Sequence, residues 1–89
     1  MISQADRDTI IELARDYRAS YVVLFGSSLD DTREANDIDL GVKGLDPRLF
    51  FRFLGDLLMR LSKPVDLVDL TRRDLFNQLV EKRGVRIYG

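Results

Sequence analysis

Apolar and polar positions along the chain change period several times, and each change predicts an element. Ser3 followed by Asp6 reads as a helix start, with a side-chain cap and an acid in the first turn. Ile10, Ile11, Leu13, Ala14 and Tyr17 then supply the buried face of that helix. "YVVLF", Tyr21 to Phe25, is short, apolar and β-branched, which predicts a strand buried on both faces. Gly26 and Ser27 end it, and the polar "SSLDDTREA" predicts a short helix or loop. "DIDLGV" alternates strictly: Asp37, Asp39 and Gly41 point one way, Ile38, Leu40 and Val42 the other. "LDPRLFFRFLGDLLMRLS" predicts the clearest helix, capped by Asp46, with Pro47 in its first turn. Its stripe of Leu49, Phe50, Phe53, Leu54, Leu57, Leu58 and Leu61 reads as core. "KPVDLVDL" predicts a third strand. "TRRDLFNQLVEKRG" predicts a second capped amphipathic helix, with Thr71 and Asp74 at its start and Gly84 at its end. "VRIY" adds a short edge strand. The order implies an α/β (α+β) domain: a small mixed β-sheet with helices packed on one face, opposite the acids.

At 89 residues the chain has room for one domain, 1–89, with a modest core. Its 14 basic and 15 acidic residues leave a net charge of −1, without the basic surplus of a duplex binder, so no direct nucleic-acid binding is expected. Cysteine and histidine are both absent, which removes disulfides, thiol and imidazole catalysis, and zinc ligation by the usual ligands. Any metal must be held by oxygen, which favours magnesium, manganese or calcium. No apolar run approaches the ~20 residues that span a bilayer, and "MISQADRD" lacks a signal-peptide layout. The expectation is a cytoplasmic protein that uses no membrane.

Within that frame the aspartates stand out. Asp37 and Asp39, two apart on one strand, emerge on one face roughly 6–7 Å apart at the backbone. Two carboxylates so placed repel unless a cation is shared between them. Such a pair alone is often no more than solvated surface. Gly26-Ser27 at the end of a buried strand adds a backbone that a phosphate can approach, with a hydroxyl and an N–H beside it. In "PVDLVDL" Asp66 lies on the face opposite Val65 and Leu67, whereas Asp69 shares their face or lies just past the strand, where it can cap the next helix. Asp66 is therefore the third functional candidate.

An apolar strand ending in Gly-Ser, a nine-residue spacer, Asp-Ile-Asp-Leu, and later Val-Asp-Leu-Val resembles the minimal nucleotidyltransferase family of the DNA polymerase beta-like superfamily. The resemblance runs from Tyr21 to the final strand. It implies a polymerase beta-like nucleotidyltransferase fold, two Mg2+ ions coordinated by Asp37 and Asp39, and nucleotide phosphates held by Gly26 and Ser27. Asp66 would bind metal or act as base on the acceptor hydroxyl. The implied reaction transfers NMP, AMP from ATP above all, and releases pyrophosphate. Minimal members often accompany a small helical HEPN protein, and some are antitoxins that adenylylate this toxin.

The stretch after Gly-Ser departs from the family pattern. Many members carry arginine and a small residue there; this chain has Ser28-Leu29-Asp30-Asp31, with Arg33 the nearest basic residue and Asn36 where serine is common. Asp30 and Asp31 read as first-turn helix acids. The departure keeps open a second function, a binding module that neutralises or scaffolds a helical partner without turnover. Arg72, Arg73, Lys82, Arg83 and Arg86 make the C-terminal third basic, either as solvated surface or as a face for an acidic partner or a nucleotide phosphate. A domain this small supplies one wall of a cleft, so a partner or second copy is expected to complete the site.

Overall fold

The computed structural model describes residues 2–29 and 36–89. Asp30, Asp31 and Arg33 lie outside the described residues. The elements follow in the expected order: α1 (Gln4–Asp16), β1 (Tyr21–Phe25), a 3-10 turn (Gly26–Leu29), β2 (Ile38–Lys43), a second 3-10 turn (Pro47–Leu49) leading into α2 (Phe50–Arg60), β3 (Val65–Asp69), α3 (Leu75–Arg83) and β4 (Val85–Tyr88).

The helix boundaries follow from their caps. The Ser3 hydroxyl accepts the Asp6 N–H at 3.1 Å, and Asp46 accepts the Arg48 N–H at 2.9 Å where Pro47 opens the 3-10 turn. The helix expected from Thr71 begins later, because Asp74 is the cap and accepts the Asn77 N–H at 2.8 Å. Thr71 lies instead in a turn, its N–H held by the Asp69 carboxylate at 2.9 Å.

The four strands form one mixed sheet in the order β3-β2-β1-β4. β1 pairs antiparallel with both β2 and β4, and β2 pairs parallel with β3. One face carries Val22, Leu24, Ile38, Leu40 and Val42, and α1 and α2 cover it with Ile10, Leu13, Phe53 and Leu57. Phe53, Leu57 and Ile10 are fully buried there, each stabilising by roughly 1.5–3 kcal/mol through removal from water.

Helices were expected on that face alone, and α3 departs from this. It lies on the acid-bearing face, where Val80 packs with Val23 and Leu70 in a second small core. Topology gives the reason. The β2–α2–β3 crossover moves outward from β2, whereas β3–α3–β4 joins strands that are also parallel but returns the opposite way across the sheet. Crossovers of one hand put helices on opposite faces when the direction reverses. β1, covered on both sides, is accordingly buried at Val22, Val23 and Leu24. Gly41 makes the second core possible, since a Cβ there would stand 2.8 Å from Leu70 Cδ1.

Candidate active site

The sheet brings four of the sequence candidates together at one end of the acid-bearing face. β1 ends at Phe25, which is directly opposite Asp39 in the antiparallel register. Gly26 then turns the chain with φ +64°, a left-handed conformation that favours glycine. A Cβ on Gly26 would lie 2.5 Å from Asp39 Oδ2, so the bare backbone and this carboxylate are in close approach. The exposed Ser27 directs its hydroxyl at the same oxygen, 3.5 Å away.

Across the parallel pair, Asp39 is in register with Asp66, and alternation puts both on the same face. Asp66 is exposed and Asp39 half-buried. Asp37 is exposed and immediately precedes β2. Asp69 lies apart from this group, on the face of Val65 and Leu67, where its carboxylate organises the turn into α3. Burial, reinforced by the charge of Asp66, pushes the Asp39 carboxyl above the usual carboxylate range; hydrogen bonds from Ser27 oppose this, and Asp37 adds to it. The arrangement is rich in negative charge around one half-buried acid.

Ser28 is a residue whose role sequence reasoning missed. It is 2% exposed, and its hydroxyl accepts the Asp39 N–H at 2.9 Å and donates to the Asp37 carbonyl at 3.3 Å. One buried hydroxyl thus clips the turn after β1 to the backbone that carries both acids. A third consecutive small polar residue in the turn gave no signal for this, because burial inside a turn has no periodicity.

The donor set suits a hard cation: it consists of carboxylate oxygens, with like charges that a cation would relieve. Among the described residues, no three acidic side chains are gathered at one point as a ready-made metal cage. Asp39 and Asp66 in register, with Asp37 beside them, are the residues that would hold such an ion. Nor is any helix among the described residues long and apolar enough to cross a membrane.

Comparisons with known proteins point the same way. The polymerase beta nucleotidyltransferase family model matches residues 8–89. No curated protein matches the chain in sequence comparison. Among solved structures, one chain of a toxin–antitoxin crystal structure with AMP-PNP aligns with a TM-score of 0.77 and 32% identity, over 93% of this chain and 73% of that one. A chain of the toxin–antitoxin MntA-HepT aligns with a TM-score of 0.74 and 29% identity, over 98% and 73%. A third, from a tri-AMPylated Shewanella oneidensis HEPN toxin in complex with an MNT antitoxin, aligns with a TM-score of 0.75 and 30% identity, over 97% and 71%. With the family model spanning all but the first turn of the fold, and chains of toxin–antitoxin structures aligning over more than nine-tenths of its length at about 30% identity, the chain belongs to the polymerase beta nucleotidyltransferase family, in its minimal nucleotidyltransferase branch.

Proposed function

We propose that this chain is the antitoxin of a toxin–antitoxin pair, a magnesium-dependent transferase that moves AMP from ATP onto a HEPN-type helical partner in the cytoplasm. The observation that carries the reading is the convergence of Gly26 with the Asp39 carboxylate, and of Asp39 with Asp66, at one end of the sheet. Relatives about 30% identical come from toxin–antitoxin structures, one solved with AMP-PNP and one with a tri-AMPylated HEPN toxin.

In this reading the Gly26–Ser27 turn offers bare backbone and a hydroxyl to the donor phosphates. Asp37, Asp39 and Asp66 would hold Mg2+, which when bound would supply neutralisation of charge on the phosphates. Asp66, exposed at the open edge of the group, takes the proton of the acceptor hydroxyl as its oxygen attacks the α-phosphorus. The bond from that phosphorus to the bridging oxygen breaks, and pyrophosphate leaves with the electron pair. Ser28 keeps Asp37 and Asp39 at fixed positions relative to the turn throughout. With one wall of the cleft formed by this chain, the partner supplies the other.

The test is incubation with magnesium, α-labelled ATP and the product of the adjacent gene, expected to be a small helical protein. Label on the partner is expected, and its loss in Asp37→Ala and Asp39→Ala. A second reading, binding without turnover, is favoured by the acidic Asp30-Asp31, in the stretch where the family resemblance implies arginine. A tight complex that takes up no label would select it and refute the transferase.

A further inference from the structure

Strand order draws a line across the acid-bearing end of the sheet. Asp66 is on β3, Asp39 on β2 and Gly26 at the end of β1, and β4 lies beyond β1. β4 begins at Val85, paired with Leu24, so the C-terminal end of α3 abuts β1 just before the Gly26 turn. Gly84 is the joint: a Cβ there would stand 2.2 Å from Val23 Cγ1 and 3.0 Å from the Leu24 carbonyl oxygen. Arg83, the last residue of α3, is thereby held beside Gly26, and the two share a cavity of about 190 Å³. Its other walls are apolar, with Phe25 and Phe76 meeting edge to face at 6.0 Å between ring centroids. Arg83 has no carboxylate partner among the described residues. The turn itself, Gly26-Ser27-Ser28-Leu29, carries no cation.

In-line displacement gives this line a direction, because the attacking oxygen and the leaving group lie on opposite sides of the phosphorus. With Asp66 taking the acceptor proton on the β3 side and the α-phosphorus near Asp39, pyrophosphate points away from β3, over Gly26 and Ser27. The next cation on that path is Arg83. Its backbone is two strand spacings from Asp39, ~10 Å, a gap that a pyrophosphate and an arginine side chain fill between them. The acids repel the leaving group, whereas a guanidinium offers paired N–H donors that match phosphate oxygens. Beside apolar walls its charge is screened less than in open water. We infer that Arg83 binds the β- and γ-phosphates of the donor nucleotide and holds pyrophosphate as it leaves. The inference rests on the transferase reading above. The step it serves is balanced: the acceptor oxygen bonds to the α-phosphorus, its proton passes to Asp66, and the bond to the bridging oxygen breaks with its electron pair going to pyrophosphate.

The first arm needs no turnover: equilibrium binding, in magnesium, of ATP with a methylene bridge between its α- and β-phosphorus, set against binding of AMP. In Arg83→Gln the analogue is expected to bind about tenfold more weakly, the worth of one charge-assisted contact, while AMP affinity stays within about twofold. Arg83→Lys should recover part of the loss, because the charge returns without the planar fork. A merely structural role, such as complementing the negative end of α3, would affect both nucleotides alike. Equal weakening of both, or of neither, overturns the inference. So does an equal loss in Arg73→Gln, which removes a cation of the same basic third outside this cavity. The second arm is the rate of labelled AMP transfer to the product of the adjacent gene, expected to fall about tenfold or more in Arg83→Gln; an unchanged rate would overturn the inference too. Absence of analogue binding by the wild type would sink both readings. Arg83-dependent binding by a wild type that transfers nothing would refute the transferase alone and leave the triphosphate contact standing.

Discussion

Two adjacent serines after β1 should respond to truncation in opposite ways. Ser28 is 2% exposed, and its hydroxyl is the partner of the Asp39 N–H at 2.9 Å and the Asp37 carbonyl at 3.3 Å. Ser28→Ala removes that oxygen and leaves a donor and an acceptor without it at the start of β2. An unsatisfied buried group costs about 1–3 kcal/mol. Because Asp39 is half-buried and Asp37 exposed, water reaches part of the gap, which favours about 1–2 kcal/mol. For a domain of this length each kcal/mol moves Tm by about 4–8 °C, so a drop of about 4–16 °C is expected. Ser27 is exposed, and its hydroxyl lies 3.5 Å from Asp39 Oδ2, at the limit of a hydrogen bond. Ser27→Ala should therefore change stability by less than about 0.5 kcal/mol, while lowering transfer if that hydroxyl meets the donor phosphates. Thermal and urea unfolding of both variants, with an unchanged urea slope to show that the folded state is intact, decide the matter. Equal stability of the two would show that the Ser28 clip does not hold the acids in place.

Three other substitutions probe the same architecture. Gly26→Ala would force a left-handed alanine at a cost of about 1–2 kcal/mol and place its Cβ 2.5 Å from Asp39 Oδ2; the protein should still fold, but with transfer to the partner down more than tenfold, and near-wild-type transfer would contradict the close approach. Asp39 has its carboxyl pushed up by burial and by Asp66, so the folded state holds that proton more tightly than the unfolded chain does. Stability from this group is then lost as pH rises from the unfolded value of about 3.9 through the raised folded value. Asp39→Asn, with no charge to bury, should accordingly have a higher Tm than wild type at neutral pH without divalent cations, and the gap should close on acidification; a lower Tm at neutral pH would be inconsistent with this. Phe53, fully buried on the α1–α2 face with its ring centroid 5.1 Å from that of Tyr17, should cost about 3–5 kcal/mol when cut to alanine, measured by urea unfolding, and a loss under 1 kcal/mol would mean that α2 does not anchor the core.

Much of this architecture was legible in the chain. β1 shows as an unbroken apolar run, β2 as alternation, and α2 as a wide apolar stripe, because each must bury a face at a fixed period. The same period-2 reasoning separated Asp66 from Asp69. What the chain did not show is set by contacts distant in sequence. That Asp39 stands opposite Asp66 depends on the β2–β3 register, which no local pattern specifies. Asp6 reads as an ordinary first-turn acid, yet it is buried and accepts the Ser62 N–H at 3.1 Å and the Ser62 hydroxyl, tying α1 to the segment before β3. The position of α3 had a signal that went unused: a strand apolar on both faces, with Val23 as well as Val22 and Leu24, requires cover on the acid side too.

That cover explains why the site is open. α3 packs over β1 through Val80 and Val23, and Leu70 closes over Gly41, so the acid-bearing face is roofed along its middle. Asp39 and Asp66 lie beyond the roof, at the β2–β3 end where Gly26 and Ser27 turn away from β1. Half-burial of Asp39 and exposure of Asp66 follow directly. A carboxylate group in this position is shaped from one side by the turn and left unshielded on the other. In-line transfer of AMP to an acceptor hydroxyl gains from exclusion of water, and this chain alone cannot exclude it. If the transferase reading is right, activity should therefore depend on the partner as a second wall as well as an acceptor. Pyrophosphate release from ATP by the isolated chain should be far slower than in the complex, and equal rates would show that the single wall suffices.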